Sequence, residues 1–174
     1  LERKTFEDLL LTNQSKGCIH AFFSEKRSSK IPEITKSNPR PLKTLGVVGG
    51  GTMGSGITIA ALNAGIPVTM VERDQASIKK GKHNVEKAYR RDIQKGRLSE
   101  SKATDILSRF NVTTDFDSLS SVDMVIEAAF EEMKTKKDIF RILDKVIKPG
   151  AILSSNTSYL DINEIALATS RPSD

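Results

Sequence analysis

The chain has 174 residues, of which 37% are apolar and 28% are charged, and its formal charge at pH 7 is +5. No apolar run approaches the roughly 18 residues that a membrane-spanning helix needs, and the first ten residues lack the pattern of a secretory signal. The single cysteine, Cys18, excludes an intramolecular disulfide framework and favours no cysteine-based metal site. We therefore expect a soluble intracellular protein without a structural metal ion.

The positive charge is concentrated at the beginning of the chain. Residues 1–44 contain nine Lys or Arg and five Asp or Glu, so they supply +4 of the net charge. Nucleic-acid-binding domains combine a basic face with aromatic side chains that stack on bases. Aromatic residues make up only 5% of this chain and tryptophan is absent, so nucleic-acid binding is not expected.

The first predicted element is a helix over residues 5–23, where apolar residues recur at helical spacing. Thr5 is its candidate N-cap, and Gly17 weakens its centre. Residues 24–43 are polar and contain three prolines, which is typical of a linker.

From Thr44 onward, strand-length apolar runs alternate with helix-length segments. The pattern predicts a doubly wound, Rossmann-type α/β domain, with a mostly parallel sheet and helices on both faces, preceded by the helical linker. Asp161 and Glu164 have the spacing of a capping box for the last helix. The predicted strands are 45–48, 68–71, 112–114, 124–126 and 152–153, and the predicted helices are 52–63, 76–94, 99–109, 134–146 and 162–168.

A glycine-rich loop follows the first strand and opens a helix. In the pattern GxGxxG, Gly49 permits a tight turn, Gly51 lets the backbone approach a pyrophosphate, and Gly54 allows close packing of helix and strand. The second strand is followed by Glu72, at the distance expected of a carboxylate that accepts hydroxyl groups of an adenosine ribose. The order of these features predicts dinucleotide binding, and the carboxylate favours NAD over NADP because it would repel a 2′-phosphate.

Four segments together resemble the NAD-binding domain of the L-3-hydroxyacyl-CoA dehydrogenase family. They are, in order, GVVGGGTMGSGI, VERD, VDMVIEAAFEEMKTKKDIF and SNTSYLDINEIA. The earlier segment AFFSEKRSSK resembles the linker that follows the enoyl-CoA hydratase half of peroxisomal bifunctional enzymes. The resemblance implies that residues 1–43 are a helix and linker from a preceding domain and residues 44–174 a dinucleotide-binding domain. It also implies a peroxisomal location, with the mitochondrion as the alternative.

The resemblance assigns further residues to the cofactor site. It implies that Thr52 belongs to the phosphate-binding loop and that Met53 lies against the cofactor. One departure from the family pattern is Gly50, where these enzymes usually carry a side chain, and we expect it to loosen the turn.

The same resemblance implies contacts to the nicotinamide half of the cofactor. Ala129, Phe130 and Glu131 would border the nicotinamide ribose, and Lys136 would reach the same region. Ser158 matches a serine near the reacting oxygen of the substrate, so it is the candidate catalytic residue of this chain.

The implied activity is oxidation of an L-3-hydroxyacyl-CoA to the 3-ketoacyl-CoA, with hydride transfer to NAD. A histidine oriented by a glutamate would take the proton, and the family places that histidine after the SNTS segment. The two histidines here, His20 and His83, precede it. We therefore expect a chain that binds NAD but is inactive alone, with a helical C-terminal dehydrogenase domain and an N-terminal hydratase domain as partners.

Two alternative functions remain open from the sequence. The chain could serve another hydroxyacid oxidoreductase, or it could be a non-catalytic NAD-binding module.

The helix after the second strand contains three lysines that either meet phosphates of the acyl-CoA substrate or form a solvated face; they are Lys79, Lys80 and Lys82.

Overall fold

A computed structural model describes residues 2–28, 30–34 and 37–174. It divides the chain into two compact units, Leu1–Arg40 and Pro41–Asp174. The assignment of residues 1–43 to a preceding domain stays a prediction.

The first unit contains two helices where the sequence predicted one. Helix α1 spans Glu2–Leu10 and α2 spans Asn13–Ser28, followed by a short 3-10 turn at Pro32–Ile34. The hydroxyl of Thr12 accepts the N–H of Ser15 at 3.2 Å, which caps α2. The predicted cap at Thr5 is wrong, because that residue lies inside α1.

The helices of the first unit bury none of their described residues. Helix α2 continues to Ser28 and so includes the beginning of the segment predicted as linker. Residues 29, 35 and 36 of that predicted linker lie outside the described residues.

The second unit is built on a five-stranded sheet with the order β3-β2-β1-β4-β5. All four pairings are parallel, with Leu45 of β1 opposite Val68 of β2 and Met124 of β4. The carboxyl ends of β1, β2 and β4 therefore lie at one edge of the sheet. The strands are β1 (Leu45–Val48), β2 (Val68–Val71), β3 (Phe110–Thr113), β4 (Met124–Glu127) and β5 (Ile152–Ser155).

Five helices accompany the sheet: α3 (Thr52–Asn63), α4 (Gln75–Gln94), α5 (Glu100–Leu107), α6 (Met133–Val146) and α7 (Ile162–Ala166). Two clusters of buried apolar residues cover the two faces of the sheet. One combines Leu62 of α3, Val85 of α4 and Ile106 of α5 with one face of the strands. The other packs Leu143 of α6 and Leu119 of a 3-10 turn against the opposite face. This arrangement confirms the predicted doubly wound fold.

The predicted capping box at the start of α7 is wrong. The side chain of Asp161 accepts the N–H of Asn163 at 2.8 Å, as an N-cap should. The carboxylate of Glu164 instead accepts from Lys137 at 2.7 Å, because α6 lies beside α7 and offers a cation. Glu164 thus ties the last helix to α6.

The remaining differences concern element ends. Strand β3 begins two residues earlier than predicted, and α5 and α7 are shorter than predicted. Strands β4 and β5 continue to Glu127 and Ser155, two polar residues that the sequence pattern left outside the sheet. Across residues 2–28, 30–34 and 37–174, none of the helices has the length and apolar character that a membrane crossing requires.

Candidate functional site

The glycine loop lies at the carboxyl end of β1 and opens α3. Gly49 has φ +96°, and a Cβ there would lie 2.8 Å from the carbonyl oxygen of Ala128, so the position requires glycine. Gly51 is the N-cap of α3, and no side chain caps this end of the helix. The first N–H groups of α3 therefore offer hydrogen bonds to an anion.

Gly51 and Gly54 differ in what surrounds them, as their predicted roles require. A Cβ at Gly51 would have nothing within 4 Å, so a ligand has room to approach the backbone. A Cβ at Gly54 would overlap the carbonyl oxygen of Gly49. Gly54 thus allows the helix to begin directly against the strand, while Gly51 leaves the approach open.

Gly50 does not loosen the turn, and that expectation was wrong. Its N–H donates to Glu72, and its carbonyl accepts from the hydroxyl of Ser55 at 2.9 Å. A Cβ at Gly50 would lie 2.6 Å from the sulfur of Met70 and 3.0 Å from Cα of Gly81. The position is closely packed because α4 approaches the loop there.

Glu72 lies beside the glycine loop, at the end of β2. One carboxylate oxygen accepts the N–H of Gly50, and the other accepts the N–H of Arg73 at 3.3 Å. The side chain of Arg73 is 85% exposed and pairs with Asp74 at 3.0 Å. The carboxylate therefore borders the loop that would hold a pyrophosphate, and its contact with a ribose stays a prediction.

Asp74, two residues after Glu72, is the N-cap of α4. Its side chain accepts the N–H of Ser77 at 2.7 Å. Hydrogen bonds from the backbone and the hydroxyl of Ser77 lower the pKa of the Asp74 carboxyl.

An ionic cluster around a buried Glu127–Lys136 pair occupies the same edge of the sheet, at the ends of β4 and β5. We call it the carboxylate network; it consists of Glu127, Glu131, Lys136, Ser155 and Thr157. The side chain of Glu127 is 0% exposed, and Lys136 donates to its two oxygens at 2.9 Å each. The hydroxyl of Ser155 donates to Glu127 at 2.6 Å, and the N–H of Ala129 donates to it at 2.7 Å.

Glu131 connects this buried pair with the surface. Its Oε2 lies 3.0 Å from the ammonium of Lys136, and its side chain is 29% exposed. Its Oε1 accepts the hydroxyl of Thr157 and the N–H of Ser158. The hydrogen bond from Thr157 is the main cause that lowers the pKa of the Glu131 carboxyl, followed by Lys136 and the N–H of Ser158.

The structure brings most of the predicted site residues together. A Cβ at Gly49 would lie 3.1 Å from Cα of Ala129, so the glycine loop and the segment after β4 are in contact. Ser158 is exposed in the loop after β5 and is tied to Glu131 through its N–H. The exposed side chains of Met53 and Phe130 are apolar groups available to a ligand.

Other candidates lie on α4. The three lysines of α4, Lys79, Lys80 and Lys82, are exposed, and Lys82 pairs with Glu86 at 3.9 Å. His83 is exposed on the same helix.

Sequence reasoning missed Glu127, Ser155 and Thr157 as parts of the site. Glu127 ends an apolar strand, and the parallel register places it opposite Ser155. A carboxylate at the end of a buried parallel strand, with a lysine nine residues later, is the one signal that could have indicated the network.

Comparison with known proteins identifies the family. The family described as 3-hydroxyacyl-CoA dehydrogenase, NAD binding domain, matches residues 44–174. The peroxisomal fatty acid beta-oxidation multifunctional protein of Arabidopsis thaliana is 39% identical over 170 residues, covering 97% of this chain and 24% of that protein. The chain thus spans about a quarter of the length of that relative.

Solved structures agree with this result. The (S)-3-hydroxybutyryl-CoA dehydrogenase of Ralstonia eutropha is 37% identical with a TM-score of 0.73, covering 76% of this chain and 47% of that one. The dehydrogenase part of multifunctional enzyme 1 of C. elegans is 34% identical with a TM-score of 0.71, covering 80% of this chain and 32% of that one. The chain belongs to the 3-hydroxyacyl-CoA dehydrogenase family, and residues 44–174 are its NAD-binding domain.

Proposed function

We propose that the chain provides the NAD site of a dehydrogenase that oxidises L-3-hydroxyacyl-CoA to 3-ketoacyl-CoA in fatty-acid β-oxidation. The observation that carries the proposal is the contact between the glycine loop and the segment after β4 at one edge of the sheet. Open α/β sheets bind dinucleotides at this edge, where the strand order reverses. The Arabidopsis thaliana relative, which is named as a peroxisomal protein, supports a peroxisomal location.

The first half of the site fits the adenosine and diphosphate parts of NAD. Gly51 leaves open space at the N-terminus of α3, where the N–H groups of Thr52, Met53 and Gly54 would bind the diphosphate. Glu72 would accept the hydroxyls of the adenosine ribose. Its charge would repel a 2′-phosphate, so NAD is expected to bind in preference to NADP.

The second half fits the nicotinamide part. Glu131 would accept a ribose hydroxyl, since its carboxylate is partly exposed and held from behind by Lys136. Ala129 and Phe130 would border the same ribose. When bound, NAD supplies the hydride acceptor of the reaction.

Ser158 would act on the substrate. A hydroxyl can donate to a ketone or accept from an alcohol, so it suits both directions of the oxidation. The N–H of Ser158 donates to Glu131 at 3.2 Å, and this hydrogen bond supports a position of the loop next to the nicotinamide half. We assign the proton acceptor to no residue of this chain; a helical dehydrogenase domain and a hydratase domain remain the proposed partners.

Calorimetric titration of the chain with NADH and then NADPH tests the proposal. NADH is expected to bind at least tenfold more tightly, and Glu72→Ala to weaken NADH binding about tenfold, the effect of losing hydrogen bonds to a charged acceptor. Glu86→Ala, on the surface of α4, is the matched control and should leave both affinities unchanged. A thermal melt of each variant separates lost binding from lost folding.

Two results would contradict the proposal. The first is a folded chain that binds neither nucleotide. The second is equal affinity for both nucleotides that Glu72→Ala does not change.

A further inference from the structure

We propose that Glu127 is a positioning residue for the nicotinamide half of the site. It fixes Lys136, and Lys136 in turn fixes Glu131 and the two loops that Glu131 joins. The inference rests on the proposed function, because it concerns how the same site is held in shape.

Glu127 has no capacity left for a ligand. Its side chain is fully buried, and it accepts from Lys136 twice, from Ser155 and from the N–H of Ala129. The donor from Ala129 belongs to the segment proposed to border the ribose. Any action of Glu127 on the cofactor must therefore pass through these partners.

Lys136 is enclosed by carboxylate groups. An ammonium group has three N–H donors, and three carboxylate oxygens lie around this one, at 2.9, 2.9 and 3.0 Å. Its side chain is 1% exposed. Lys136 thus orients Glu131.

Glu131 is the partly exposed carboxylate that this buried pair holds in a fixed position. Its Oε2 is held by Lys136, and its Oε1 joins Thr157 and Ser158 of the loop after β5. With two carboxylates and one ammonium, the formal charge of the three groups is −1, and Glu131 is their exposed member. The network therefore presents one oriented negative group and connects it to the loop that carries Ser158.

A purely structural role for Glu127 predicts a different result. Buried ion pairs often stabilise a fold no better than apolar residues of the same volume. Removing both charges at once can therefore preserve the fold. If Glu127 only supports folding, a variant that folds will bind every part of the cofactor normally.

The test measures NADH and ADP affinity of the full chain by calorimetry. ADP occupies only the adenosine and diphosphate half, so it reports whether the glycine loop is intact. Glu127→Gln is expected to weaken NADH binding about tenfold, comparable to one misplaced charged hydrogen bond, and to leave ADP binding unchanged. Glu164→Gln, which removes the charge of an exposed ion pair with Lys137, is the control and should change neither affinity.

The double variant Glu127→Gln with Lys136→Met keeps the experiment decisive if Glu127→Gln does not fold. It removes both buried charges with side chains of similar length, and it should weaken NADH binding about tenfold while leaving ADP binding unchanged. That result is expected because Glu131 loses the ammonium group that orients it.

The outcomes separate the two proposals. A wild-type chain that binds neither NADH nor ADP contradicts the proposed function. A wild-type chain that binds both, with variants that weaken both equally or weaken neither, overturns the positioning role of Glu127 alone.

Discussion

The two halves of the site are built by different means. The glycine loop is shaped by backbone packing, since Gly49 requires its positive φ and Gly54 begins a helix against the carbonyl of Gly49. The carboxylate network is shaped by side chains from β4, α6, β5 and the loops that follow the two strands. The first half depends on the absence of side-chain atoms, and the second on matching buried charges. Substitutions should therefore damage the two halves in different ways.

The largest expected effect is a loss of stability when one of the buried charges is removed. Lys136→Met would leave Glu127 buried and without its cation, which typically costs about 3–5 kcal/mol of the free energy of unfolding. Urea unfolding followed by circular dichroism measures this loss.

The neighbouring variant Lys137→Met provides a matched control. Lys137 pairs with Glu164 at the surface, and exposed pairs contribute at most about 1 kcal/mol. If the two lysine variants lose the same stability, the distinction between a buried network and a surface pair is wrong.

The next effect concerns the glycine loop. Gly54→Ala would place a Cβ against the carbonyl oxygen of Gly49, a backbone atom that cannot move without shifting the loop. We expect a loss of about 1–3 kcal/mol in the free energy of unfolding, as for other overpacked sites, and NADH binding too weak to detect. Calorimetry and urea unfolding of the same sample measure both.

A second glycine of α3 makes this prediction specific. A Cβ at Gly56 would have nothing within 4 Å, so Gly56→Ala should raise the free energy of unfolding by about 0.5–1 kcal/mol through its helix propensity. Wild-type NADH affinity in Gly54→Ala would show that close packing of helix and strand is not what the loop requires.

The same contrast explains what the sequence could predict. The bounds of β1, α3 and β2 are the predicted ones, because short apolar runs and glycines determine these elements locally. The position of Glu72 beside the loop followed from the same local order.

The carboxylate network could not be predicted in this way. It depends on the register that pairs Glu127 with Ser155, and local pattern does not fix which strands become neighbours. Charged residues are rarely buried, so the sequence does not indicate that Glu127 and Lys136 are enclosed. The cofactor contact that the resemblance implies for Lys136 stays a prediction. Gly50 shows the same limit, since α4 packs against it through Gly81, a contact between segments distant in sequence.

The smallest expected effect is a difference in pKa change between two carboxyl groups, one from each half of the site. The pKa of Asp74 is lowered mainly by the backbone N–H of Ser77, whereas that of Glu131 is lowered mainly by the hydroxyl of Thr157. Thr157→Val should therefore raise the pKa of Glu131 by more than Ser77→Ala raises that of Asp74. Carbon-detected NMR titration of the two carboxyl groups measures both shifts.

The sign of the linked stability follows from the direction of these shifts. A carboxyl whose pKa is lowered by folding stabilises the protein above its ordinary pKa of about 4, and this contribution is lost as the pH falls toward the lower folded value. Thr157→Val should thus lower the free energy of unfolding at neutral pH and reduce the loss of stability below pH 4. Ser77→Ala should keep most of the acid-dependent loss of stability that Asp74 causes. Equal pKa shifts in the two variants would mean that the carboxylate network depends on side-chain donors no more than the region of the glycine loop does. The contrast between the two halves would then be wrong.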